Sequence, residues 1–153
     1  MLSLRRALYR LAYHLLRTIA LVRPPRGAGA KAAVVCGEEV LLVKHTYGPA
    51  RWELPGGGMR RGEDPLHALH RELAEELGIS FEHASLITTR PGPGRMHRHL
   101  THLYRVDISE PRLRPDEVEI AELRWCDPAH PPAPVGSMVS IALAAVAAGA
   151  EPA

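Results

Sequence analysis

The chain has 153 residues, 46% of them hydrophobic and 24% charged, with two cysteines; this is the make-up of one folded domain with a real core and excludes a disordered chain or a disulfide framework. The net charge of +2 hides an asymmetry, because residues 1–30 hold six arginines and no acid and leave the rest at −4, so diffuse nucleic-acid binding by the main domain is not indicated. No apolar run approaches the roughly 20 residues that cross a bilayer, and Arg10, His14 and Arg17 interrupt any signal-peptide core, so the expected location is cytoplasmic, with Cys36 and Cys126 as free thiols.

Residues 3–22 predict an amphipathic helix, with Leu4, Leu8, Leu11, Leu15, Ile19 and Val22 in one stripe and Arg6, Arg10 and Arg17 displaced from it. The stripe is expected to pack on the sheet or on a second subunit, as in a homodimer; the less favoured reading lays it on an anionic membrane surface. "RPPRGAGA" breaks the helix, so residues 1–30 read as helix plus linker and residues 31–150 as the main domain. Two short strands follow at 31–35 and 40–44, joined by a hairpin turn at "CGEE". A loop then leads through Trp52 into the glycine run "LPGGGMRRGED". Asp64 is placed to cap a helix, Pro65 to open it and Gly78 to close it, with Leu66, Leu69, Leu73 and Leu77 as its buried stripe. Strands are predicted at 85–89, 100–107 and 122–126, and an Ala-rich helix from about 135 to 148. Interleaved strands and helices make the class α/β or α+β, a sheet between helical layers.

The chemistry gathers around the first of these well-signposted helices. Glu72, Glu75 and Glu76 lie at i, i+3 and i+4, which puts three carboxylates in one narrow arc offset from the leucines. A solvated acidic face is the plain alternative. Beside a glycine turn that frees backbone carbonyls, however, three rigidly spaced carboxylates can supply part of a Mg²⁺ shell shared with substrate phosphates. Glu63 and Arg71 are expected to pair and tie the turn to the helix. The glycines mimic a phosphate-binding loop, yet Glu63 and Asp64 stand where that loop needs Lys and Ser or Thr.

Residues 57–79, "GGMRRGEDPLHALHRELAEELGI", resemble the Nudix box, G-x5-E-x7-R-E-U-x-E-E-x-G-U with U aliphatic. Gly57, Glu63, Arg71, Glu72, Leu73, Glu75, Glu76, Gly78 and Ile79 fill every defined position, a match that arises by chance on the order of once in ten million such chains. "ELPGG" upstream and "EIAELRW" downstream extend the resemblance. It implies an α/β/α sandwich around a mixed central sheet and hydrolysis of the diphosphate linkage of a nucleoside diphosphate derivative. It implies Mg²⁺, or Mn²⁺, held by Glu72, Glu75, Glu76 and a glycine carbonyl assigned to Gly56, with Gly57, Glu63, Arg71 and Gly78 supporting the site. The residue that deprotonates water varies in the family. Glu75, Glu76 and, from the distant "PDEVEIAELRW" with Glu117, Glu119 and Glu122, Glu119 are the candidates; Glu119 is read as an additional metal ligand or the base, and equally as a solvent-facing residue at the start of a strand.

Tyr47, Arg51 and Arg98 are candidate substrate contacts, whereas Trp52 is assigned to the core. His97, His99 and His102 form an H-x-H-x-x-H run that reads as polar strand or loop rather than a zinc site. Among substrates, nucleoside triphosphates, nucleotide sugars and ADP-ribose share the box. RNA 5′ ends do too, but the acidic balance of residues 31–153 argues against RNA. A non-catalytic binding module is the rival class, and the intact glutamates argue against it.

Overall fold

The computed structural model describes residues 3–9, 11–12, 27–91 and 99–149. Among these, helical residues 3–9 and 11–12 (α1) precede β1 (Ala28–Cys36), β2 (Glu39–His45), β3 (Gly56–Gly58), α2 (Pro65–Leu77), β4 (Ser85–Pro91), β5 (Leu100–Asp107), β6 (Ile120–Cys126) and α3 (Ser137–Ala147). The six strands form one mixed sheet ordered β4-β5-β1-β2-β6, with β3 paired to β1. β1 runs parallel to β5, from Ala28 opposite Leu100 to Val35 opposite Asp107, and antiparallel to β2 and β3.

β1 is a nearly continuous apolar strand because helices cover both faces of the sheet. Ala30, Ala32 and Val34 meet Leu69, Leu73 and Leu77 of α2, while Ala33 and Val35 meet Val139, Ala142 and Leu143 of α3. The result is the α/β/α sandwich expected from the sequence. Trp52 lies in the α3-side core, with Lys44 Nζ 4.4 Å from its ring centroid. Cys36 and Cys126 are free thiols. No helix among the described residues is long and apolar enough to cross a membrane.

Three features differ from expectation. β1 begins at Ala28, inside the stretch read as linker, because Ala28–Ala30 pair with β5 on one side while Gly29 and Ala30 face β3 on the other. The glycine run is a strand rather than only a turn. A Cβ on Gly29 would stand 3.0 Å from the Gly57 carbonyl oxygen, so the close β1–β3 approach depends on glycine. The third difference is α1, whose leucines do not pack on the sheet: Leu4, Leu8 and Leu11 are 67%, 59% and 69% exposed. At ~100° per residue these three share an arc of about 60°, and Arg6 and Tyr9 lie across the helix from them. That polar side meets the domain, where Arg6 donates from Nε and Nη2 to the Glu117 carbonyl oxygen at 2.9 and 2.7 Å. Leu15, Ile19 and Val22 lie outside the described residues.

Candidate active site

The site is built on the β3–α2 unit. Asp64 Oδ1 accepts from the backbone N–H groups of Leu66 and His67, which satisfies two donors of the first turn. Gly78 ends the helix in the left-handed region at φ 66°, donating to Ala74 while Ile79 donates to Leu73. These caps fix the ends of α2, while Leu69, Leu73 and Leu77 packed on the sheet set its rotation and with it the aim of the glutamates.

Arg71 ties helix to loop. Its Nε and Nη2 each donate to one Glu63 oxygen at 2.9 Å, Nη2 also reaches the Gly58 carbonyl at 3.0 Å, and Nη1 reaches Glu72 at 2.6 Å. Glu63 in turn accepts the Arg60 N–H at 2.7 Å. The bidentate Arg71 bond holds the Glu63 carboxyl down to about 2 and raises the guanidinium above its ordinary value. The expected brace is therefore present, and it extends to β3 and to Glu72.

The three helix glutamates occupy graded environments: side-chain exposure is 59% for Glu75 and 15% for Glu72, and Glu76 as a residue is 3% exposed. Glu76 accepts the Gly56 N–H at 2.9 Å. Burial pushes its carboxyl up to about 7, with Glu72 and Glu119 adding to the rise and the Gly56 N–H and Lys31 opposing it. A Cβ at Gly57 would lie 2.5 Å from Glu72 Oε2, so that glycine makes room for the carboxylate.

Glu119 comes within electrostatic reach of these carboxylates from a distant part of the chain. The loop before β6 hangs from the C-terminal carbonyls of α2, through Arg114 N–H to Leu77 and Asp116 N–H to Glu76, at 2.7 and 2.8 Å. Thr46 N–H bonds the Glu119 carbonyl at 2.8 Å, and the Thr46 hydroxyl bonds Val118. The half-buried Glu119 carboxyl is raised chiefly by burial, then by Asp116, Glu72 and Glu75, while a hydrogen bond from the Tyr9 hydroxyl lowers it. Tyr47 stands here too: burial raises its hydroxyl most, followed by the charges of Glu119, Glu76 and Glu72. Its ring stacks on His45 at 5.1 Å and lies 6.3 Å from that of Tyr9.

Of the other expected contacts, Arg51 is exposed and donates to Glu53, and Arg98 lies outside the described residues, as does His97. His102 Nδ1 is 3.0 Å from the Thr89 hydroxyl in the β4–β5 pair. A broad groove of about 1460 Å³ opens beyond the C-terminus of α2, lined by Phe81, Leu86, Arg105 and Arg112 among others. Both of these arginines are paired, with Asp107 and Glu110, and none of the glutamates of the box lines it. Sequence reading did not single out Tyr9, which carries no motif and owes its place to the docking of α1.

Among the described residues no three acidic, imidazole or thiol side chains close around one point, since Glu72 turns to Arg71 and Glu76 to Gly56. The donor chemistry nonetheless fits a hard divalent cation. All the candidate side-chain ligands are carboxylates, and burial and mutual repulsion raise Glu76 and Glu119, a strain that a cation relieves.

The chain thus joins an α/β/α sandwich to an acidic helix braced over a glycine strand. The sequence profile of the NUDIX domain matches residues 25–139, and the chain belongs to the Nudix family. It is similar to the MutT NUDIX hydrolase from Burkholderia pseudomallei, with a TM-score of 0.70, 28% identity, and coverage of 77% of this chain and 95% of that one. It is 48% identical over 54 residues to an RNA pyrophosphohydrolase of Ruthia magnifica subsp. Calyptogena magnifica, covering 35% of this chain and 30% of that protein. It is 36% identical over 92 residues to human diphosphoinositol polyphosphate phosphohydrolase 3-beta, covering 56% and 55%. The chain thus spans only 30% and 55% of the length of these last two relatives.

Proposed function

We propose that this chain is a Mg²⁺-dependent hydrolase of the diphosphate linkage in a nucleoside diphosphate derivative: a nucleoside triphosphate, a nucleotide sugar or an ADP-ribose type of molecule. The observation that supports it is the acidic helix braced to the glycine strand by Glu63 and Arg71, with Glu119 near enough that the charges of Glu72 and Glu75 raise its carboxyl. The named relatives act on different molecules, and what those names share is phosphate-linked chemistry rather than a nucleoside. That is why the substrate is proposed at the level of a class.

Glu72, Glu75 and Glu76, with the Gly56 carbonyl, are the residues that would hold Mg²⁺ or Mn²⁺. Bound there, the ion neutralises the diphosphate and lowers the pKa of the attacking water. The chain's own part is orientation and proton handling. Glu119 takes the water's proton, with Glu75 and Glu76 as the box alternatives. The water oxygen bonds phosphorus, the bridging P–O bond breaks, and a phosphate leaves. The Glu63–Arg71 pair keeps β3 and Glu72 in register, and the Tyr47 ring flanks the substrate. Arg51 and Arg98 remain the cations assigned to the substrate's approach from sequence. The catalytic domain, read from sequence as residues 31–150, would take in all of β1 from Ala28, with the preceding residues appended, and the free thiols accord with a cytoplasmic location.

RNA 5′-end hydrolysis is the second reading. The 48% identity to an RNA pyrophosphohydrolase favours it, and the net −4 of the chain beyond residue 30 opposes it. A Mg²⁺-supported screen of nucleoside triphosphates, nucleotide sugars, ADP-ribose, dinucleotides and 5′-triphosphate RNA, run beside Glu75→Gln and Glu76→Gln, separates these. Hydrolysis of none of them, or full activity in both variants, sinks the catalytic assignment.

A further inference from the structure

The side of α1 turned away from the domain has no partner within the described chain. Leu4, Leu8 and Leu11 form its crest, flanked by exposed Arg5 and Ala7, and in sequence the stripe continues through Leu15, Ile19 and Val22. A stripe of three exposed leucines at helical spacing is more than the scattered single apolar residues any surface carries. The helix is nevertheless fixed in place from its other side, by Arg6 on the Glu117 carbonyl and Tyr9 on Glu119. The apolar crest is thus presented outward from an anchored helix.

We infer that α1 is a peripheral membrane-docking surface for anionic lipid, with the leucine crest entering the acyl boundary and Arg5 beside it meeting the headgroups. Charge supports this partner. The first 30 residues hold six arginines and no acid, while the rest of the chain carries −4. An anionic surface therefore favours approach from this N-terminal segment, where Arg5 is exposed beside the crest, over approach from the net-acidic remainder. A second copy of the chain fits less well. Outside α1, the only large apolar side chains exposed among the described residues are Leu86 and Leu100. They sit at opposite ends of the β4–β5 ladder, opposite Tyr104 and Pro91, and form no patch to receive the crest. The family match begins at residue 25, so this surface is an addition to the family's domain. It brings the lipid plane beside the loop that carries Glu119.

Co-sedimentation of the full chain with vesicles of phosphatidylcholine alone, and of phosphatidylcholine mixed with phosphatidylglycerol, tests it. The protein is expected to pellet with the anionic vesicles only and to be released as salt rises. A Leu4→Ser, Leu8→Ser, Leu11→Ser triple variant should lose roughly tenfold or more in partition coefficient, and Arg5→Ala about fivefold. Because these side chains are exposed, unchanged circular dichroism should accompany the loss. Wild-type protein that stays in the supernatant, or a triple variant that pellets as wild type does, overturns the inference. A dimer by light scattering that the triple variant converts to monomer, with no vesicle binding by wild type, would make the crest a subunit interface instead.

Discussion

Residues 56–78 and the loop around Glu119 bring carboxylates within each other's electrostatic reach by opposite constructions. The first is contiguous: a glycine strand, a capped helix, and one arginine that bonds Glu63, Gly58 and Glu72 at once. The second is assembled from Tyr9, Thr46, Tyr47 and Glu119, brought together by hydrogen bonds and ring contacts between segments far apart in sequence. A contiguous, cross-braced unit tolerates little change, because each part is bonded to several others. An assembled wall can vary without unmaking the fold, which suits it to tuning a reaction that the braced unit makes possible.

The largest effects should therefore come from the braced unit. Glu76→Gln or Glu72→Gln is expected to lower kcat/KM by about 10²–10⁴-fold, in the range of losing a group that acts in the transition state, and EDTA should abolish activity that Mg²⁺ restores. Steady-state assays on the substrate found by screening measure this. Activity within a few-fold of wild type in both variants would place the chemistry elsewhere.

Next in size is the cost of burying Glu76. Its folded pKa is pushed up from 4.5 to about 7, so the folded state holds the proton more tightly than the unfolded chain. Stability contributed by the protonated form is complete below about pH 4.5, declines as pH rises, and is gone above about pH 7, on the order of 3 kcal/mol. In metal-free protein, Glu76→Gln should flatten this part of the Tm-against-pH curve. Above pH 7, Mg²⁺ should raise the Tm of wild type more than that of the variant. Parallel curves for the two proteins would mean that the carboxyl is not strained.

A smaller effect is expected from Arg71→Ala, which leaves the carboxylates in place but frees the loop. Mn²⁺ affinity, read by electron paramagnetic resonance, should weaken by about 10–100-fold, the usual range for losing a group that orients a ligand. The Glu63 carboxyl is held at about 2, below its unfolded value, so the stability this brace contributes is present above the ordinary carboxylate range and is lost as pH falls towards 2. The variant should lack that acid-dependent step in its melting curves.

How much of this was legible follows from the same contrast. Asp64, Pro65 and Gly78 mark α2 because caps are local chemistry, and the Glu63–Arg71 pair follows from eight residues of spacing between a turn and a helix face. β3 was not legible as a strand: three glycines carry no side-chain alternation, and only pairing with Gly29, Ala30 and Lys31 makes them one. Arg51 looked available beside the glycine run, but Glu53, two residues on in the same extended segment, engages it. Periodicity announced that the first helix has an apolar face and could not say which way that face points. The outcome turned on Glu117 offering a carbonyl and Glu119 a carboxylate to the polar side, more than a hundred residues away.

Tyr9 tests the weaker construction most directly. Its hydroxyl bonds Glu119 and its ring lies beside Tyr47, so Tyr9→Phe removes the bond and keeps the ring contact. One hydrogen bond at a partly exposed position is worth about 0.5–1.5 kcal/mol, and kcat/KM should fall by roughly threefold to tenfold. If the bond orients Glu119 for the proton, the loss should lie in kcat, with Tm and Mn²⁺ affinity near those of wild type. Tyr9→Ala should then be worse than Tyr9→Phe in KM, because it also removes the ring that flanks Tyr47. Equal kinetics in wild type and both variants would show that α1 lies beside the site without taking part in it, and the contrast between braced unit and assembled wall would then rest on Glu119 and Tyr47 alone.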